Sequence, residues 1–145
     1  MTDRDRIPTK VCPVVLRFRA GQTEILAFRH PLAGHQLVKG TIEPGENHDV
    51  AALRELREES GIDSAKVVRH IGVWESGHKG QIWTFYLCDA AVDLENEWTF
   101  ATVDDGGQDF EFFWHPIVAE PSNEWHPVFA RAIEWLRNQS DLITS

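Results

Sequence analysis

Apolar residues along the chain fall into short runs separated by turn-forming segments, with a helical period in two places. Residues 11–18, VCPVVLRF, are mostly apolar and β-branched, and residues 24–28 form a second run, with RAGQT between them as a turn. This pair predicts a β-hairpin. Pro13 lacks an N–H for a ladder, which predicts an edge or bulge position where the first strand begins. HPLAGH (30–35) reads as a loop, and residues 36–39 as a return to strand. After a loop over 41–46 the spacing predicts a helix over 48–59. Asn47 is its expected N-cap, Asp49 lies near its positive end, and Gly61 supplies the stop.

KVVRHIGVWE and QIWTFYLC predict two further strands joined through GHKG. The second is apolar on both alternating sets, so it is expected in the middle of a sheet, covered on both faces. Residues 93–109 are acidic and turn-rich, FEFFWHP is a short strand, and HPVFARAIEWLRN a closing helix. Pro127 suits its first turn, and Val128, Ala132 and Trp135 form its core stripe. Strands before, between and after two helices predict an α/β domain, a mixed sheet with helices on opposite faces. No repeat, low-complexity tract or linker interrupts the pattern, so residues 1–145 are expected to form one domain.

Composition narrows the function classes. At 145 residues the chain can bury a sizeable core without metals or disulfides. Its formal charge of -9 argues against a stable nucleic-acid partner, which needs a basic face to neutralise phosphates. A phosphate-bearing small molecule stays compatible where bound cations reverse the local field. Cys12 and Cys88 have no CxxC spacing and are expected as free, partly buried thiols. MTDRDRIPTK carries no apolar stretch behind it, and no run approaches the ~18 apolar residues of a membrane span. The expectation is a cytoplasmic protein with no membrane partner.

The first helix carries the chemistry. Glu55, Glu58 and Glu59 fall within an arc of about 100° on a helical rotation, beside an apolar side of Ala52, Leu53 and Leu56. Small Ala51 lies among the acids and is expected to leave space for an approaching group, with Arg54 at the border. Like charges at these spacings cost ~0.2–0.5 kcal/mol per pair. In the last turns of a helix the dipole disfavours each by a further ~0.3–1 kcal/mol. A solvated helix would place lysines there, so a divalent cation is the better source of the missing charge. All-oxygen ligation suits Mg²⁺ or Mn²⁺.

The segment from Gly40 through Glu46, Arg54, Glu55, Leu56, Glu58 and Glu59 to Gly61 and Ile62 resembles the Nudix box, G-x5-E-x7-R-E-U-x-E-E-x-G-U. Every defining position agrees. The resemblance implies a Nudix-type α/β/α sandwich and Mg²⁺-dependent hydrolysis of a pyrophosphate bond in a nucleoside diphosphate joined to another group. It also implies that Glu58 and Glu59 are metal ligands and Glu55 a ligand or the base that activates water. The Lys39 carbonyl would be a further ligand, Glu46 an orienting carboxylate, and Arg54 the group that holds the glutamates. An additional carboxylate would come from outside the box, with Glu95, Glu97, Asp104, Asp105 and Asp109 as its nominated sources. Gly40 and Gly45 are expected to permit the loop before the helix.

The resemblance leaves the substrate open. QLVKGTIEPGE is similar to a segment of members that cleave dinucleoside polyphosphates, with Val38 in place of the expected proline. Nucleoside triphosphate pyrophosphatase activity in nucleotide sanitation and a non-catalytic nucleotide-binding domain are the alternatives. Members of the family often form homodimers. Of the seven histidines, His30, His35, His70 and His78 are expected at the surface or in hydrogen bonds. His115 and Trp114, near a strand end, are substrate-contact candidates. Trp83 and Trp135 are expected in the core, while Trp74, Trp98, Trp114 and Trp125 are candidates for base stacking. Lys79 and Arg29 are expected in solvent.

Overall fold

A computed structural model describes residues 7–103, 106–139 and 142. Among them run ten elements in the order β1 (Lys10–Arg19), β2 (Gln22–His30), β3 (Gly34–Gln36), β4 (Gly40–Thr41), α1 (His48–Ser60), β5 (Lys66–Glu75), β6 (Ile82–Asp89), β7 (Trp98–Ala101), β8 (Asp109–Pro116) and α2 (Pro127–Arg137). The sheet order is β5-β6-β1-β2-β8-β7, with β3 on β2 and β4 on β1. β1 and β6 are parallel and the other pairs antiparallel, so the sheet is mixed, as expected.

Alternation along the strands divides the interior between two helices. On β1, Cys12 and Val14 face the α2 side with Ile25 and Ala27 of β2 and Trp83 and Phe85 of β6. There they meet Val128, Phe129, Ala132, Ile133 and Leu136 of α2. Val15, Leu26, Phe28, Phe110 and Phe112 point the other way and join Leu56 of α1. The result is an α/β/α sandwich, the architecture that the resemblance implies. β6 is central, between β5 and β1, and both cysteines are buried free thiols.

Three expectations need correction. β1 is an interior strand, so Pro13 is not at an edge. Its position is tolerated because β4 pairs only with Lys10 and Val11, while β2 pairs from Leu16 onward, leaving a gap on that side. Residues 37–39 are not a strand; the pairing falls on either side of them, in β3 and β4. β7 lies within the segment expected to be turns. Its apolar pair, Trp98 and Phe100, packs on the α1 side, a two-residue period too short to stand out among acidic neighbours.

Helix α1 begins after Asn47, whose backbone takes the cap conformation while its side chain makes no capping hydrogen bond. Gly61 ends the helix at φ 82, a left-handed conformation, with its N–H donating to the Arg57 carbonyl. A Cβ there would also fall 2.7 Å from the Phe100 ring, so packing and conformation both demand glycine. In α2, Pro127 occupies the first turn and His126 caps it, its side chain accepting from the Val128 N–H.

Candidate active site

The acidic face of α1 is pressed against β4 at the beginning of β1. Ala51 and Ala52 are fully buried with Val11, and Ile42 and Tyr86 pack around them. Ala51 therefore leaves no open space; its small side chain lets the helix approach the sheet. That approach carries Glu55 inward to 8% exposure, with its carboxylate over Gly40. A Cβ on Gly40 would stand 1.9 Å from Glu55 Cδ and 2.0 and 2.2 Å from its oxygens. The need for glycine here is room for the carboxylate, since Gly40 has no left-handed backbone, whereas Gly45 does at φ 76.

Arg54 ties the acids together. Its Nε and Nη2 donate to Glu46 Oε2 and Oε1 at 2.7 and 2.8 Å, a bidentate pair. Nη1 donates to Glu55 Oε1 at 2.8 Å and to Glu58 Oε2 at 3.2 Å, and Nη2 also reaches the Thr41 carbonyl at 3.0 Å. One planar guanidinium thus fixes three carboxylates and the β4 backbone, geometry that an ammonium would not reproduce. Glu46 also accepts the Glu43 N–H. The Arg54 hydrogen bonds, ahead of the Glu43 N–H, hold the Glu46 carboxyl down to about 2, and the same bonds donated to Glu46 raise the Arg54 guanidinium above its usual value.

Glu59 lies on the neighbouring side of the helix, where its Oε1 accepts the Lys39 N–H at 3.4 Å. Glu55, Glu58, Glu59 and the Lys39 main chain therefore gather at one end of α1 around β4. Among the described residues no three acidic, histidine or cysteine side chains form a closed metal cage. An open, all-oxygen set fits Mg²⁺ or Mn²⁺ all the same, because such ions keep waters and commonly take one or two carboxylates together with substrate phosphates.

The NUDIX domain profile matches residues 8–136. The chain belongs to the NUDIX family. Among solved structures this Nudix hydrolase is similar to a C. elegans Ap4A hydrolase at 21% identity, covering 77% of this chain and 82% of that one, with a TM-score of 0.51. It is similar to a UDP-X diphosphatase at 19% identity and TM-score 0.64, covering 90% of this chain and 62% of that one. An ADP-ribose pyrophosphatase from Streptococcus suis is similar at 13% identity and TM-score 0.56, covering 87% and 92%. At these identities the likeness is one of fold. No curated protein sequence matches the chain. As a Nudix hydrolase, the protein acts on phosphorus-containing acid anhydrides. No helix among the described residues is long and apolar enough to cross a membrane.

Other residues singled out from the sequence have packing partners in the Nudix fold. Trp114 and His115 are neighbours on β8 and face opposite sides of the sheet. Trp114 lies under Arg17 at 4.4 Å and donates its indole N–H to the Glu95 carbonyl. His115 is 8% exposed, packs edge-on against Trp125 and donates Nε2–H to the Ala119 carbonyl at 3.0 Å. Trp83 is fully buried, and Trp135 packs against Phe85. Trp125 is also core, at 6% exposure, and Trp98 stacks on Phe112 while donating to the Ser60 carbonyl. Trp74 meets Trp83 edge-on. Arg29 lies over Phe113 and 3.9 Å from Glu97 with its side chain 42% exposed, in keeping with the solvated position expected. Asp109 opens β8, and Asp104 and Asp105 lie outside the described residues.

A second gathering of side chains gave no sequence signal, because its members are far apart along the chain. Lys39 Nζ lies 5.0 Å from the Trp83 ring centre and 5.6 Å from that of Phe129. His126 meets Phe129 edge-on at 5.9 Å and His78 at 5.7 Å. Lys10 and Lys79 lie near enough for their charges to act on Lys39.

Proposed function

We propose that this Nudix hydrolase is a Mg²⁺-dependent pyrophosphohydrolase, with Mn²⁺ as an alternative metal. It cleaves a phosphoanhydride bond in a nucleoside diphosphate-linked substrate, dinucleoside polyphosphates being one option. Residues 1–145 serve as one Nudix domain, acting as a cytoplasmic enzyme on a small nucleotide-derived molecule. The observation that carries this reading is the Arg54 clamp, which holds Glu46, Glu55 and Glu58 in a mutually fixed set beside Gly40.

Glu58, Glu59 and the Lys39 carbonyl would hold the metal, with Glu55 completing the set or serving as base. When bound, the metal supplies charge neutralisation of the pyrophosphate and a lowered pKa of attacking water. Arg54 keeps the carboxylates from spreading apart under their own repulsion, so little reorganisation accompanies the reaction. Glu55, enclosed and oriented, accepts the proton of water as the phosphorus–oxygen bond forms, a role that contributes typically ~10²–10⁴-fold. Phosphoryl transfer asks of a protein mainly such positioning and electrostatic stabilisation.

The test is turnover of a panel of nucleotide sugars, dinucleoside polyphosphates, nucleoside triphosphates and coenzymes with Mg²⁺. Glu58→Gln and Glu59→Gln should lose turnover and bind Mg²⁺ more weakly while remaining folded. Unchanged rates for both at limiting Mg²⁺ would sink the ligand assignment. Tight binding of a panel member without turnover by the wild-type protein would count against hydrolysis.

A further inference from the structure

Three loops, the start of β1 and α2 bring cationic and imidazole groups together beside Glu59, in a chain whose net charge is -9. Lys39 connects this cluster to the acidic one. Its amide N–H reaches Glu59, while its ammonium lies over Trp83 and Phe129 on the other side of the sheet. His126 and His78 continue outward from Phe129 in edge-on contact. Lys10 donates to Thr41 Oγ1 at 2.6 Å, and Arg131 to the Ser76 carbonyl at 3.0 Å. The charges of Lys39, Lys79 and Arg131 act on both histidines, and burial with those charges holds the two imidazoles below their ordinary pKa. The carboxylate acting on Lys39 is Glu59.

The loop that presents His78 and Lys79 is built to a fixed shape. Ser76, 2% exposed, accepts the His78 N–H at 3.0 Å and donates to the Gln81 carbonyl at 2.7 Å. The Gln81 N–H returns to the His78 carbonyl at 2.9 Å. Lys79 itself sits at φ 53, an uncommon conformation for a lysine, which these bonds sustain. His126 accepts the Val128 N–H on Nδ1, so its neutral ring carries the proton on Nε2 and presents a donor. Positive charges and donors assembled this way, beside the carboxylate of Glu59 that acts on Lys39, favour an anion between them.

We propose that Lys39, His78, Lys79 and His126 form a subsite for phosphates beyond the scissile pyrophosphate. It selects substrates carrying a chain of three or more phosphates over two-phosphate compounds such as nucleotide sugars or ADP-ribose. This selection rests on the α1 glutamates being the catalytic centre, from which one lysine side chain spans to the subsite. Lys79 is exposed and His78 half-buried at a loop, so their replacement spares the core.

The experiment compares wild type, Lys79→Gln and the double variant Lys79→Gln/His78→Ala. It reads kcat/KM with Mg²⁺ on diadenosine tetraphosphate and on ADP-ribose, and calorimetric binding of inorganic tripolyphosphate, with circular dichroism as the fold check. Tripolyphosphate binding should weaken by about 10- to 100-fold in the double variant, the loss carried by one hydrogen bond to a charged group. The ratio of tetraphosphate to ADP-ribose kcat/KM should fall by about the same factor through KM. Equal losses on both substrates, or unaltered tripolyphosphate binding, overturn the subsite. Absence of all turnover in the wild type would overturn the hydrolytic reading, while tripolyphosphate binding still decides the subsite.

Discussion

Replacing Gly40 by alanine separates the folding role of the loop glycines from their role at the site. The added Cβ would overlap the Glu55 carboxylate, 1.9–2.2 Å from its three atoms. The β4 backbone is paired to Val11 and cannot retreat freely, so the carboxylate must swing away. Leaving a favoured rotamer costs ~0.5–1.5 kcal/mol. Losing the 2.8 Å bond from Arg54 to a carboxylate that is only 10% exposed adds ~1.5–3 kcal/mol. Together these give a loss of about 2–4 kcal/mol and a fall in Tm of about 5–15 °C for a chain of this size. The protein should still fold, because the displaced group is the mobile end of one side chain. Turnover should fall by ~10²–10⁴-fold, the contribution of a positioned base. Thermal unfolding and steady-state kinetics on one substrate read both quantities. Gly45→Ala is the control: it has no atom within 4 Å of the added Cβ and pays only the left-handed backbone strain, so stability drops by ~1–2 kcal/mol while kcat holds. Gly40→Ala with wild-type Tm and kcat/KM within about three-fold would refute the close approach of Glu55.

Arg54→Lys removes the bidentate pair with Glu46 and leaves too few donors for Glu55, Glu58 and Thr41. Turnover should fall by about 10–100-fold, more at limiting Mg²⁺, and a wild-type metal titration would contradict the clamp. His35, His70, His78, His115 and His126 all have pKa values lowered from 6.5, with burial the largest cause. The unfolded chain therefore binds their protons first. Stability should be level above pH 6.5 and decline as pH falls below it toward the folded values; a Tm flat from about pH 7.5 to 5 would contradict this. Glu46, held to about 2, titrates in a separate window: its contribution is complete above the usual 4.5 and is lost between there and about 2. Chelation of Mg²⁺ should abolish turnover reversibly while far-ultraviolet circular dichroism is retained, since the core clusters are formed by apolar side chains.

Local order made much of the molecule legible. The helical period set Glu55, Glu58 and Glu59 on one arc and Leu56 on another, and Gly61 ended the helix where its left-handed freedom was needed. The two-sided apolar pattern of QIWTFYLC identified a central strand, and Pro127 marked the start of α2. These features depend on residues a few positions apart, so a single chain displays them. The acidic arc even pointed to a cation, because repulsion and dipole depend only on the helix itself.

Long-range contacts decided the rest. Gly40 looked like a loop glycine until the α1 helix brought Glu55 over it, and Ala51 looked like an opening until Val11 closed it. Trp125 lies in a loop, yet His35, Phe113 and His115 surround it and bury it. The meeting of Lys10, Lys39, His78, Lys79 and His126 requires the start of β1, the segment before β4, the β5–β6 turn and the start of α2 to lie at one end of the sheet. Sequence alone pointed to the class of bond that this Nudix hydrolase addresses, through the resemblance carried by the box from Gly40 to Ile62. The surroundings of that bond were decided by tertiary structure, because charges scattered over the chain act on one another only once the fold has brought them within reach.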